Sequence, residues 1–108
     1  MRMLTTATEI NDVLCRLIGD CRSCRIAVAW GSVGFDAFEL LLRHRKKIRS
    51  MVVGTHFYQT HPQFIESFLT NPRVRFVLAT DGVLHPKLYL FHAAGGDWEC
   101  LVGSPNLT

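Results

Sequence analysis

Two pairs of residues, His85 with Lys87 and Ser104 with Asn106, carry most of the chemical potential of this 108-residue chain. Side chains two apart on an extended strand point the same way, roughly 6 to 7 Å from one another. A single phosphate can therefore touch both members of a pair. An imidazole that titrates near neutrality, a fixed ammonium, and a hydroxyl and a carboxamide for the equatorial oxygens form the inventory that phosphodiester cleavage requires. No metal ligand set is needed, and no cofactor is expected.

The element that must position these groups is a hairpin. Two short apolar runs, 87–91 and 99–102, flank the turn Gly95-Gly96-Asp97, which is the composition of two antiparallel strands joined tightly. His85 and Lys87 then sit at the start of the first strand, and Ser104 and Asn106 lie just past the end of the second.

At His85-Pro86-Lys87 and Gly103-Ser104-Pro105-Asn106 the sequence resembles the phospholipase D superfamily, whose signature is H-x-K, an Asp four residues on, and G-S-x-N. Within it, the GSPNLT ending is most similar to bacterial phospholipase D-like nucleases, including a metal-independent restriction endonuclease branch. The resemblance implies that His85 attacks phosphorus to give a phosphohistidine. A second motif's histidine would protonate the leaving oxygen and then activate water. Lys87 and Asn106 would hold the equatorial oxygens, with Ser104 in support. Only one motif is present, so the second histidine is expected from a symmetric homodimer. The expected substrate is a nucleic acid, with DNA preferred, and no membrane is involved.

The chain departs from the family pattern in two places. His92 stands where the family has Asp; on a regular strand it faces the side opposite to His85 and Lys87. The sequence also ends at Thr108, before the helix and acidic residue that the family places downstream, which implies a single phospholipase D-like domain over 1–108, truncated at its C-terminus. The competing readings are a non-catalytic phosphate-binding, nucleic-acid-binding or dimerisation domain, and a phospholipid phosphodiesterase. The last would call for an amphipathic, basic membrane-facing helix, and none is evident.

Composition sets the frame. The chain is 48% hydrophobic and 19% charged with a net charge of +3, which describes a globular domain that tolerates an anionic partner without demanding one. It has neither a signal-peptide core nor the ~20 apolar residues of a membrane span. A cytoplasmic location is expected, with Cys15, Cys21, Cys24 and Cys100 as reduced thiols. Cys21 and Cys24 form a C-x-x-C, but no second metal-ligand pair lies at finger spacing, and ordinary thiols are the plainer reading.

Along the chain, Thr6 to Glu9 has capping-box spacing ahead of an amphipathic helix over 7–19. A buried strand is expected over 25–30 and a second helix over 35–45. The turn Gly31-Ser32-Val33-Gly34 between them reads as a plain tight turn, with Ser32 retained as a candidate anion contact. The basic run 43–49 reads as cations at a helix end, with a nucleic-acid backbone track as the alternative. A strand over 48–54 follows, then a helix opened by Thr60 as N-cap and Pro62 in the first turn. The loop between them offers His56 and Tyr58 as substrate-facing candidates, since ligands gather at the carboxyl ends of strands in open α/β sheets. A third strand over 74–80 completes a β-α-β-α-β-hairpin order. The fold class is α/β, a mixed sheet flanked by helices.

Overall fold

The computed structural model describes residues 2–55, 59–78 and 87–103. Helix α1 (Ala7–Asp20) starts where the capping pattern places it: Thr6 Oγ1 accepts from the Glu9 backbone N–H at 3.1 Å, and Glu9 reaches back to the Thr5 N–H at 3.4 Å. Its stripe of Leu14, Leu17 and Ile18 is buried. Strand β1 (Ser23–Val28) begins and ends two residues earlier than its apolar run suggests. Helix α2 (Asp36–Arg43), a 3-10 turn at Arg45–Lys47 and strand β2 (Ile48–Gly54) follow. Then come helix α3 (Pro62–Phe68), strand β3 (Val74–Val77) and the hairpin of β4 (Lys87–His92) and β5 (Trp98–Val102).

The strands form one mixed sheet in the order β3-β2-β1-β4-β5. The first three are parallel, and β4 and β5 run antiparallel. This is the mixed α/β class read from the sequence. Strands β3 and β4, consecutive in the chain, are not neighbours: β2 and β1 lie between them.

Leu14, Leu17 and Ile18 of α1, Phe38 and Leu41 of α2, and Phe64 and Phe68 of α3 share one core with alternate residues of the sheet. Those strand residues are Cys24, Ile26, Val28, Ile48, Met51, Val53, Val74, Tyr89 and Phe91. The strands thus have an inner face packed on helices. Their outer face, with Arg25, Ala27, Val52, Arg75, Leu88 and Leu90, stands outside that core. Aromatic rings knit α2 to α3, with Phe38 5.7 Å from Phe64 and Phe64 5.2 Å from Phe68. In the β4–β5 turn the Ala93 N–H donates to the Asp97 carbonyl at 2.7 Å, and Gly96 takes φ 90°, a conformation that glycine adopts without strain.

The basic run has a structural task. Lys47 Nζ donates to the carbonyls of Ile18 and Gly19 at 3.2 and 2.8 Å, satisfying orphan acceptors at the end of α1, and Arg45 donates to the Leu42 carbonyl at 3.1 Å. Among the described residues no helix is long and apolar enough to cross a membrane.

Candidate functional site

Parallel register brings the carboxyl ends of β1, β2 and β3 to one edge, since Val28 pairs with Val53 and Gly54 with Val77. Strand β4 runs the other way, so its first residue arrives at the same edge: Lys87 pairs with Val28. The chain leaves β1 toward β2 on one side, while β4 lies on the other. The gap between β1 and β4 is therefore the switch point at which ligands collect in open α/β sheets.

Lys87 has the parity of buried Tyr89 and Phe91 and so belongs to the inner face. Its ammonium lies 5.8 Å from the centroid of the Trp30 ring, on the segment that leaves β1, a cation–aromatic contact that fixes the charge at the edge. Across the hairpin the Gly103 N–H donates to the Lys87 carbonyl at 3.3 Å. In sequence His85 lies two residues before Lys87, and Ser104 lies one residue after Gly103. His85, Ser104, Asn106, His56 and Tyr58 themselves lie outside the described residues. Ser32 is half-buried on the loop after β1, at this same edge.

Two residues that the sequence did not mark for this edge, Trp30 and Thr60, stand at it. Trp30 ends the apolar run, and its place after the last paired residue of β1 becomes visible only with the strand register. Thr60 was expected to cap α3. Instead His61 does so, its Nδ1 accepting from the Gln63 N–H at 3.0 Å. The Thr60 hydroxyl is buried; it accepts from the Gly31 N–H at 3.3 Å and donates to the Gly54 carbonyl at 2.6 Å. One hydroxyl thereby ties the loop after β1 to the end of β2. The His61 N–H adds a bond to the Gly31 carbonyl at 2.9 Å. A Cβ at Gly31 would stand 2.8 Å from the Phe64 ring, so the loop lies directly on the core. Thr55 completes the tie, its hydroxyl donating to the Val77 carbonyl at 2.8 Å.

His92 is on the other face. Its ring stacks on Trp98 with centroids 4.7 Å apart, five residues from Lys87 and on the opposite side of β4. The C-x-x-C is also accounted for: Cys21 and Cys24 are buried free thiols. Burial pushes Cys24 up to about 12, with Cys21 beside it adding to the rise, and burial likewise raises Cys21. Burial thus favours the protonated thiol at both positions. Among the described residues no group of three His, Cys, Asp or Glu is placed to hold a metal.

No family model matches the chain, and no curated protein matches it. The crystal structure of polyphosphate kinase from Porphyromonas gingivalis is similar in fold, with a TM-score of 0.58 at 16% identity. The match covers 95% of this chain and 19% of the kinase, so the chain spans about a fifth of that protein's length. At this identity the likeness concerns the fold alone. These comparisons overturn the resemblance to the phospholipase D superfamily and its nucleases. No family model supports the H-x-K and G-S-x-N match, and the solved structure named above is a kinase. Short motifs of four or five fixed residues, without agreement elsewhere along the chain, do not establish kinship.

Proposed function

We propose that the domain performs metal-independent phosphoryl chemistry at the edge between β1 and β4, cleaving a phosphodiester through a phosphohistidine on His85. The observation that carries this reading is the position of Lys87: it opens β4 at the switch point of the sheet, with its ammonium over Trp30 and its carbonyl bonded to the strand end that leads into Ser104. The residue types are those of the two spaced pairs in the sequence.

In the reaction a ring nitrogen of His85 forms a bond to phosphorus as the bond to the leaving oxygen breaks. The leaving oxygen takes a proton from a second imidazolium, supplied by His85 of another copy in a homodimer. That imidazole then removes a proton from water, which attacks the phosphohistidine and releases a phosphomonoester and free His85. Lys87 and Asn106 hold the equatorial oxygens, with Ser104 in support, where a fixed charge stabilises the extra negative charge of the transition state. The substrate in this reading is a nucleic acid, preferentially DNA, in the cytoplasm.

The fold of the polyphosphate kinase favours a second reading, in which His85 takes a phosphoryl group from a phosphoanhydride chain and passes it to another acceptor. One experiment separates the two. Labelled single- and double-stranded DNA and labelled polyphosphate are each incubated with the protein in excess EDTA, and with His85→Ala. DNA cleavage lost in His85→Ala supports the phosphodiesterase. Acid-labile label on the protein from polyphosphate alone, again lost in the variant, supports the transfer reading. Activity that survives His85→Ala, or that EDTA abolishes, sinks the phosphohistidine mechanism.

A further inference from the structure

The carboxylates keep to the helical side and the edges of the sheet. Among the described residues the carboxylates sit on α1, α2, α3, the hairpin turn and the inner side of β5, where Glu99 meets Arg16 of α1 at 3.3 Å. The outward positions of the five strands carry no Asp or Glu. They carry Arg25 on β1 and Arg75 on β3, both exposed, and between and beside these a half-exposed apolar strip that includes Leu88 and Leu90. At the β5 end of the same face Trp98, 55% exposed, stacks on His92. From β3 to β5 this surface crosses four interstrand gaps, roughly 19 Å at ~4.8 Å per gap.

A face that, among the described residues, has cations, no carboxylate and a presented indole suits a chain of phosphates that also has flat rings to stack. Base–aromatic stacking and backbone neutralisation are the two terms by which proteins hold single strands. We propose that the outer face of the sheet binds single-stranded nucleic acid, its backbone on Arg25 and Arg75 and a base stacked on Trp98. The surface lies on the opposite side of β4 from Lys87 and stands independently of the catalytic reading. A protein partner would leave Arg25 and Arg75 needing carboxylates; a bare phosphate chain would leave Trp98 without a role.

The test is fluorescence anisotropy of a labelled single-stranded oligonucleotide across a salt series, with the full chain in a His85→Ala background so that turnover cannot intervene. Trp98→Ala should weaken binding roughly tenfold, and Trp98→Phe should restore most of it. Arg25→Ala with Arg75→Ala should make the plot of log affinity against log salt shallower by roughly 1.4, at ~0.7 per phosphate contact on a single strand. Arg16→Ala, on the helical side, should change neither quantity. Circular dichroism checks that each variant folds. No binding, or binding unmoved by the Trp98 and arginine variants, overturns the proposal. Equal competition by polyphosphate of matched charge, with no dependence on Trp98, overturns it in favour of a phosphate chain. Sedimentation showing the face covered by a second copy, with release by Leu90→Glu, overturns it in favour of self-association.

Discussion

The two faces of β4 divide the molecule. On one, Tyr89 and Phe91 are buried against three helices, and Lys87 continues that line to the edge where the parallel strands end. On the other, Leu88, Leu90 and His92 remain half-exposed, and Trp98 and Val102 across the hairpin are exposed at 55% and 72%. Strand alternation produces both sets from one run of six residues. The difference shows that helical cover, more than strand sequence, determines which side carries stability and which is available for contact.

Truncation separates the faces most sharply. Phe64→Ala removes a fully buried ring that meets Phe38, Phe68 and Phe76. It should cost about 3–5 kcal/mol, a large part of the stability of a domain this size. Leu90→Ala on the outer face should cost about 1 kcal/mol. Urea denaturation of the two variants gives the comparison directly; equal losses would mean that the outer face is also a packed core.

Next comes the tie between the core and the edge. Thr60→Val keeps the shape but removes the hydroxyl that serves both the Gly31 N–H and the Gly54 carbonyl. The expected loss is about 2 kcal/mol, because both backbone groups lose a buried partner. Any activity of the edge should fall further than the fraction unfolded accounts for, since the loops after β1 and β2 lose their common anchor. Full activity at reduced stability would detach Thr60 from the site.

What was legible in the sequence follows the range of the interactions. The start of α1 and the hairpin are local devices, a Thr-Glu cap and a Gly-Gly-Asp turn, and both form where their residues stand. The strand order is not local. Nothing in residues 87–92 states that they pair with β1 and not with β3, because that choice depends on α1, α2 and α3 covering one side. Thr60 illustrates the same limit: beside Pro62 it has every mark of a cap, yet a buried bond to a residue twenty-nine positions away claims its hydroxyl. His61 took the cap because its own ring nitrogen reaches Gln63. At the edge of the sheet, the place of Lys87 at the start of a strand was legible from spacing, while Trp30 beside it became visible only through register.

The buried thiols test the inner face by pH. Cys24 rises from 9.0 to about 12 on burial, and Cys21 is raised too. A thiol whose folded pKa is raised favours the folded state while it stays protonated. Its contribution is complete below about 9 and is lost as pH climbs from 9 toward 12, because the unfolded chain ionises first. Cys24 then removes up to about 1.4 kcal/mol per pH unit in that window, and Cys21 acts in the same direction. Denaturation midpoints measured from pH 7 to 11 should fall above 9. Cys24→Ala should flatten that limb, and adding Cys21→Ala should flatten it further. An alkaline limb unchanged by either substitution would place these thiols in water.

The smallest effect belongs to the join between α1 and the basic run. Lys47→Met keeps the aliphatic stem but removes the ammonium that bonds the Ile18 and Gly19 carbonyls. These acceptors can turn to water at a helix end, so the cost should be about 1 kcal/mol, from the lost charge–dipole and hydrogen-bond contribution. Because Lys47 is on the helical side, the substitution should leave the affinity of the outer face for an oligonucleotide, and its salt slope, as they were. A drop in that affinity without a drop in stability would assign the basic run to nucleic-acid binding and dissolve the distinction between the two faces. A drop in stability alone would confirm that these cations hold α1 against the sheet.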